Sequence, residues 1–585
     1  MKRHIIIYMA ACVALPAMAQ EKLEGTLNVE GDYIPTVVRQ DKIHLLPQKV
    51  SFELPALRTS TAQGLLTGDY APGFSTLPAP VWRGELAEYP WRGYLDLGLG
   101  SYLNSTLSAG YRVADTESTR ADVWLQHNST SLFHPRMSEY GRDWKRYTYD
   151  ERVGVGLRQG LGGSGTLSGT LGYHLGLFNY YGAVSHTDDN AKAPKQTLND
   201  VRLRLGWQSS ARGSWDFGLR AEGGYFGYRR SYGVADYVWQ PYGGQYEIQA
   251  GLGASAACRI GTANRVGVDL DFTSLSYNKV AAGSRSRSLQ TLRVLPAYSY
   301  TADRFSASLG AVVDVTWGAG RSIAAEVADL DYSTVHVAPA ARLSYDGGTW
   351  GATVSATGGQ RLQTLRSGYE LDYYQQPLLD YVMPAFVPVE AKVRFEAKPS
   401  ARFRAGLDFT YATVRHLYMG GWYMPELSGE NEYLYDFDRQ HCNLAGYSIG
   451  LDAEWTPLDL LTLSGRGTYQ PQRSCSTTGF FNGYDRPRWT VDAEATVHPV
   501  RALSLTLGYR YRGVRQIFWG YGQSRDGLGY RLPDICNLRL GARYRISRTL
   551  SVYGSADNLL GHRIDLLPCQ PMEGFNFLLG ADVLF

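Results

Sequence analysis

Charge is scarce in this chain. Only 19% of its 585 residues are Asp, Glu, Lys or Arg, and 58 basic residues nearly cancel 55 acidic ones. The net charge of +3 excludes a protein that holds nucleic acid by neutralising phosphates. Mean hydropathy is −0.27, which excludes a bundle of membrane-spanning helices. Cysteine is also sparse. Beyond Cys12 the chain holds Cys258, Cys442, Cys475, Cys536 and Cys569, an odd set with no CxxC, so neither a disulfide framework nor a zinc site is supported. Cys442 and Cys475 both fall near predicted loops, and spacing alone leaves their pairing open. Catalytic signatures are missing too. The 11 histidines are scattered, and there is no HExxH, no GxSxG and no phosphate loop. His127-Asn128-Ser129 has no identifiable acid partner in the sequence and reads as an interfacial histidine. The acidic pairs Asp188-Asp189 and Asp436/Asp438 offer too few carboxylates for a calcium site and read as solvated loop charges. No metal, no cofactor and no enzyme activity is therefore expected.

What is abundant points to strands and tight turns. The chain has 65 Gly, 42 Tyr and 13 Trp, too aromatic for disorder and too rich in Gly and Tyr for a helical protein. As a soluble protein its length would suggest about four domains. Residues 1–19 read as a secretory signal: Lys2, Arg3 and His4, a short apolar stretch from Ile5 to Leu15, then Ala17-Met18-Ala19. The stretch is too short to span a bilayer. The mature chain then starts at Gln20, outside the cytoplasm.

From Trp91 onward the signal is period two. Val201, Leu203, Leu205 and Trp207 alternate with Arg202, Arg204, Gly206 and Gln208. Val266, Val268, Leu270 and Phe272 alternate with Gly267, Asp269 and Asp271. Val389, Ala391, Val393 and Phe395 alternate with Glu390, Lys392, Arg394 and Glu396. Trp489, Val491, Ala493, Ala495 and Val497 alternate with Asp492, Glu494 and Thr496. Only a strand puts each apolar set on one face. Counted this way, residues 93–585 hold about 22 strands, from one near 93–100 to one near 574–585. Many reach the ~9–11 residues that a tilted bilayer-spanning strand needs. Connections alternate between short turns and long loops, the latter at 130–150, 181–197, 229–244, 318–332, 361–387, 416–440, 472–485, 516–531 and 558–573. The first connection, near 101–102, is short where a long one is due. This alternation predicts an all-β, transmembrane antiparallel barrel of the outer membrane. A propeller or a row of sandwiches does not explain it.

The last strand carries a further signal. Phe575, Phe577, Leu579, Ala581, Val583 and Phe585 alternate to the final residue. A terminal aromatic there resembles the mark by which the outer-membrane assembly machinery recognises barrels, so Phe585 is the candidate assembly signal. Leu550 to Phe585 as a whole resembles the C-terminal end of TonB-dependent receptors, with Ala556-Asp557-Asn558-Leu559-Leu560-Gly561-His562-Arg563 similar to that family's Asn-Leu segment. The resemblance implies a 22-stranded outer-membrane barrel. It departs from the family in the leader. The family carries a plug domain and a TonB-contacting box. Here residues 20–92 hold seven prolines and no plug-like sequence. The segment Asp32-Tyr33-Ile34-Pro35 with Lys42-Ile43 and Leu46-Pro47 is similar to the lead of a plugless, receptor-like group. Thr26–Val29 and Thr36–Val38 make only weak TonB-box readings. Residues 20–92 therefore read as an extended, proline-containing segment, luminal or periplasmic, which either binds a partner, occludes the lumen or is a simple leader.

The inward phase carries both signs. Arg202, Arg204, Lys392, Arg394, Arg539, Arg543 and Arg545 project to the lumen with Asp269, Asp271, Glu390, Glu396, Asp492 and Glu494. They either tune a solute path or brace the wall as cross-strand ion pairs. Aromatics crowd the long loops: Tyr373, Tyr374, Trp422, Tyr423, Phe480, Phe481, Phe518 and Trp519. They either bind sugars or a partner protein or belong to the interfacial girdle. The functional expectation is a channel or transport-type barrel, with a partner-holding scaffold as the alternative. Its expected partners are outer-membrane lipid, the barrel assembly machinery during biogenesis, and a protein at the loops or the N-terminal segment.

Overall fold

A computed structural model describes residues 91–133, 146–180, 195–210, 213–235, 238–278, 288–320, 330–371, 384–424, 436–471, 474–475, 487–521, 524–565 and 571–585. The leader, and residues 20–92 almost entirely, lie outside that range. The wall starts with β1 (Gly93–Gly100), β2 (Ser105–Asp115), β3 (Thr119–Phe133), β4 (Arg146–Gly160), β5 (Thr166–Asn179), β6 (Lys195–Gln208) and β7 (Trp215–Tyr228). It continues with β8 (Tyr246–Ile260), β9 (Asn264–Tyr277), β10 (Leu289–Ala302), β11 (Phe305–Gly320), β12 (Leu330–Asp346), β13 (Trp350–Arg361) and β14 (Ala385–Ser400). Then follow β15 (Phe403–Met424), β16 (Asp436–Leu458), β17 (Leu461–Tyr469), β18 (Trp489–Val500) and β19 (Leu503–Arg512). The wall ends with β20 (Ile535–Arg545), β21 (Leu550–Asp557) and β22 (Asn576–Leu584).

Each strand pairs antiparallel with the next, and β22 pairs back onto β1 from Tyr94↔Leu584 to Gly100↔Leu578. The sheet is thus a closed barrel of 22 strands, as the alternation predicted. Closure leaves no edge with unpaired backbone groups, which the bilayer requires. Both ends of the wall meet at the short-turn rim, where Gly93 N–H donates to the Phe585 carbonyl at 2.7 Å and Phe585 N–H to that of Gly93 at 3.0 Å. The β1–β2 connection is a tight turn, Ser101–Leu103, with Tyr102 and Leu103 at positive φ.

The outward phase is apolar and uncovered. Leu99, Leu252, Leu309, Val335 and Leu579 are each more than 60% exposed, and many others follow along every strand. In water such a band would be an aggregation surface. On a closed barrel it is the face that meets lipid. Among the described residues no helix is long and apolar enough to cross a membrane.

Four features depart from the sequence reading. Three segments expected as loops are wholly or partly β structure. β15 and β16 run to 22 and 23 residues, well beyond a bilayer crossing. Residues Arg515–Tyr521 and Ser524–Leu532 form a hairpin, and Arg230–Ala235 with Val238–Gly243 another. Trp422 and Tyr423 therefore lie in β15, and Phe518 and Trp519 in the first strand of the 515–532 hairpin. Parallel pairing sets Trp422 opposite Trp519 across these two ribbons. Their aromatic composition favours strands, but a pairing that skips three wall strands leaves no local pattern. Tyr373, Tyr374, Phe480 and Phe481 lie outside the described residues. Finally, the 361–387 connection contains a helix, α1 (Leu365–Leu371).

Candidate functional site

The lumen is lined by the polar phase of each strand. Outward Leu203 and Leu205 fix Arg202 and Arg204 inward, and outward Val393 and Phe395 do the same for Glu390, Lys392, Arg394 and Glu396. On β16 to β19 the register sets Asp452 opposite Arg466, Arg466 opposite Asp492, and Asp492 opposite Arg510, an alternating row across four strands. Arg394 is the hub beside it. Its guanidinium donates to Glu396 at 2.7 Å and to Asp452 at 2.9 Å, and reaches Asp408 at 3.3 Å. Asp492 accepts from Arg510 at 3.0 Å and Arg512 at 2.8 Å.

The remaining sequence candidates fall into place around this row. Arg204 pairs with Glu222 at 3.8 Å, Asp271 with Arg220 at 2.8 Å, and Glu390 with Arg361 at 2.9 Å. Glu494 pairs with Arg539 at 3.7 Å, and Arg543 with Asp582 at 2.7 Å. Arg545 donates to the Arg501 carbonyl at 2.9 Å. Lys392 and Asp269 make no ion pair among the described residues. Most candidates are thus joined in cross-strand pairs at partial exposure, the geometry of a water-lined, braced wall.

The inner face of β5 to β10 is different near the long-loop rim. Here the inward phase turns apolar: Phe178, Leu198, Phe226, Tyr228, Leu275, Tyr277 and Leu289 are buried together. They are covered by α1, which leaves the wall at the end of β13 and docks on strands three to eight places away. Leu365 and Tyr369 enter the apolar cluster, with the Tyr369 ring 5.7 Å from that of Phe226. Arg366 and Glu370, on the same side of the helix, make the polar contacts. Arg366 donates to Asp200 at 2.8 Å and Gln249 at 3.2 Å, and its guanidinium lies 5.7 Å from the Phe226 ring centre. Arg202 donates to Asp200 at 2.8 Å and to Glu370 at 3.0 Å. Glu247 accepts the Leu365 N–H at 2.8 Å and the Tyr277 hydroxyl at 2.9 Å. Thr364 and Ser367 cap the helix reciprocally: the Ser367 hydroxyl accepts from Thr364 N–H at 2.7 Å, and that of Thr364 from Ser367 N–H at 3.0 Å.

The departure of α1 from the wall is built into β13. A register shift between Thr357 and Gly359 bulges the strand, and Gly359 adopts φ +126°, which an L side chain resists. A Cβ there would also stand 2.9 Å from Asp314 Oδ2. Beyond the bulge, Arg293 holds Asp314 at 2.7 Å and the Gln360 carbonyl at 2.6 Å. The Gln360 side chain bonds Thr316 and lies 2.7 Å from His336 Nδ1.

Two signs of this arrangement lie in the sequence. Leu198 sits on the same phase as Arg202 and Arg204, and Phe226 on that of Glu222. Apolar residues on the polar phase of adjacent strands require a cover. The cap pair Thr364/Ser367 and the spacing of Leu365, Arg366, Tyr369 and Glu370 mark a short helix with one contact side.

Two further polar groups stand elsewhere. At the long-loop rim Asn104 donates to Glu573 at 2.8 Å, Thr130 bonds Asn104, and the fully buried Arg146 lies 3.8 Å from Glu573. This group ties the β21–β22 connection to β2, β3 and β4. On the outward phase Ser105 lies 3.1 Å from His127 Nε2, and His127 Nδ1 lies 3.2 Å from Glu151. The order resembles a nucleophile–base–acid chain. However, Ser105 also shares a 2.6 Å hydroxyl contact with Ser129, and its backbone stands in the ladder between Leu99 and Ser129. The chain reads as interfacial hydrogen bonding, the role expected for His127. Among the described residues no group of His, Cys, Asp and Glu is arranged to hold a metal ion, and Cys258 and Cys536 are free thiols. The side chains of Cys442 and Cys475 lie outside the description.

No protein-family model matches the sequence, and no curated protein does either. Solved structures do match in fold. The FrpB iron transporter from Neisseria meningitidis (F3-3 variant) superposes with a TM-score of 0.65 at 10% identity, over 85% of this chain and 82% of that one. A mutant ferric enterobactin receptor, PfeA, from Pseudomonas aeruginosa gives 0.63 at 14% identity, over 84% and 80%. The ferric-catecholate import receptor Fiu from Escherichia coli K12 gives 0.60 at 10% identity, over 85% and 82%. These are an iron transporter, a ferric enterobactin receptor and a ferric-catecholate import receptor. The chain shares their barrel fold, and its closed wall and exposed apolar band make it an integral outer-membrane protein.

Proposed function

We propose that this chain is a transport-type barrel that conducts a polar solute through an unplugged lumen. The observation that carries the reading is the continuous, partly exposed row of paired charges on the inner face of β14 to β19, which keeps that side of the lumen wet. A wall of 22 strands encloses more space than its own side chains fill. The absence of a plug rests on the composition of residues 20–92, where no plug-like sequence is found. The near balance of signs favours a path with weak ion selectivity, in which Lys392 and Asp269, with no ion-pair partner among the described residues, have the most influence.

The test is single-channel recording of the purified full chain in a planar bilayer, repeated after deletion of residues 21–88. Discrete conductance steps that persist after the deletion are expected. A chain that stays silent in both forms would overturn the reading. Steps that appear only after the deletion would instead make the N-terminal segment the plug. Phe585 is proposed as the mark read during assembly, and its deletion is expected to lower the amount of heat-modifiable barrel in the outer membrane.

A second reading is supported by the long β15–β16 ribbon and its pairing with the 515–532 hairpin. These project beyond the bilayer crossing and suit a scaffold that holds a partner protein. Purification from native outer membrane with mass spectrometry tests it. Recovery of the barrel alone would remove this alternative.

A further inference from the structure

The helix α1 covers a sector of the inner wall through only part of its surface, and its attachment has the features of a contact built to release. Its seven residues are too few for a stable isolated helix, so undocking also unwinds it. The contact combines one apolar cluster with polar clamps at the lumen, Arg366–Asp200 and Glu370–Arg202, and Glu370 and Arg202 remain partly exposed to lumen water. Docking also leaves a polar group unmet: Glu247 is 1% exposed, and its Oε1 has no hydrogen-bond partner among the described residues. A buried unmet carboxylate oxygen opposes the docked state, and water restores its hydration once the helix leaves. On the β13 side wall pairing ends at Arg361↔Ala385, so residues 362–364 alone join α1 to the wall.

We infer that α1 is a releasable constriction: docked on β5 to β10 it narrows the lumen, and its release widens the solute path. The inference rests on the conducting role proposed above and adds its regulation. It requires no partner and no covalent step. The balance lies between the apolar cluster with its two polar clamps on one side, and the ordering of a short helix with a dehydrated Glu247 on the other.

The experiment pairs a conformational readout with a functional one on the full-length chain. Gly176→Cys, whose Cβ would stand beneath α1 at 3.6 Å from the Tyr369 hydroxyl, reports docking by its labelling with a membrane-impermeant maleimide, measured against the parent chain, whose own thiols set the background. Planar-bilayer recording reports the path. Both are read with and without Arg366→Ala/Glu370→Ala. A second variant replaces residues 363–371 by a Gly/Ser linker of equal length and is recorded without the labelling site. Heat-modifiable mobility checks that each barrel is folded. Breaking the clamps is expected to raise labelling about ten-fold, the change produced by a loss of about 1.4 kcal/mol in docking, and to raise mean current in step. The linker variant is expected to match or exceed that current. Faster labelling with unchanged current in a conducting barrel would overturn the constriction while sparing the solute path. Faster labelling in a barrel that stays silent, linker variant included, would remove the path and the constriction together. Labelling that does not change would show α1 to be a fixed part of the wall, and would overturn the release.

Discussion

Two sectors of the same inner wall solve the same problem in opposite ways. On β14 to β19 the inward positions carry Arg394, Asp452, Asp492 and Arg510, open to lumen water, with Arg394 and Asp452 each 29% exposed. On β5 to β10 the same phase carries Phe178, Leu198 and Phe226 beneath α1, and the ion pair at their edge is nearly dry, with Asp200 only 3% and Arg366 12% exposed. Alternation dictated that all these side chains face inward. It did not dictate what they would meet there. The difference teaches that a lumen charge has no fixed energetic weight. In the open sector water screens the pairs, so they act mainly on register and local field. In the covered sector Asp200 and Arg366 have lost most of their water and depend on each other.

Three substitutions separate the two sectors. The largest effect is expected from Phe226→Ala, which removes the centre of the covered cluster. It should destabilise that region by about 3–5 kcal/mol, measured by denaturant titration of the detergent-refolded barrel alongside protease access to the 362–371 segment. A loss below that of an exposed surface substitution would mean the cluster is not packed as described. Next comes Asp200→Ala, which strands Arg202 and Arg366 without their shared carboxylate. A cost of about 3 kcal/mol is expected, nearly independent of salt because the site is shielded. The smallest effect is expected from Arg394→Ala in the open sector. Despite its contacts with Asp452, Glu396 and Asp408, its removal should cost about 1 kcal/mol or less. That cost should shrink between 0.1 M and 1 M salt, as the screening length falls from about 10 Å to about 3 Å. Equal costs and equal salt dependence for Asp200 and Arg394 would erase the distinction between the sectors.

The legible part of this molecule was its local pattern. Val201 to Gln208 and Trp489 to Val497 each state a strand, its two faces and its environment in a few residues, because a strand's side chains alternate whatever its neighbours are. Short turns such as 303–304 and 501–502 hold neighbouring strands antiparallel. The lumen candidates were visible for the same reason. Their partners were harder to see, since Arg394 reaches Asp452 on a strand two places away through the stagger of the barrel. The covered sector was hidden further still. Leu198, Phe226 and Leu275 on the polar phase announced a missing cover, but no local rule says that the cover comes from residues 365–371.

The number of strands, the phase of each, the long and short rims and the membrane that the outward face needs are thus written in the amino-acid order. These follow from period-two sterics and from the cost of unpaired backbone in lipid. Which inward charges are wet and which are dry was settled by the assembled barrel. It also decided that α1 covers β5 to β10, and that Trp422 of β15 stands in register with Trp519 of the 515–532 hairpin. Such contacts join residues far apart in the chain, and they depend on the closure and stagger of the whole sheet rather than on any stretch of it.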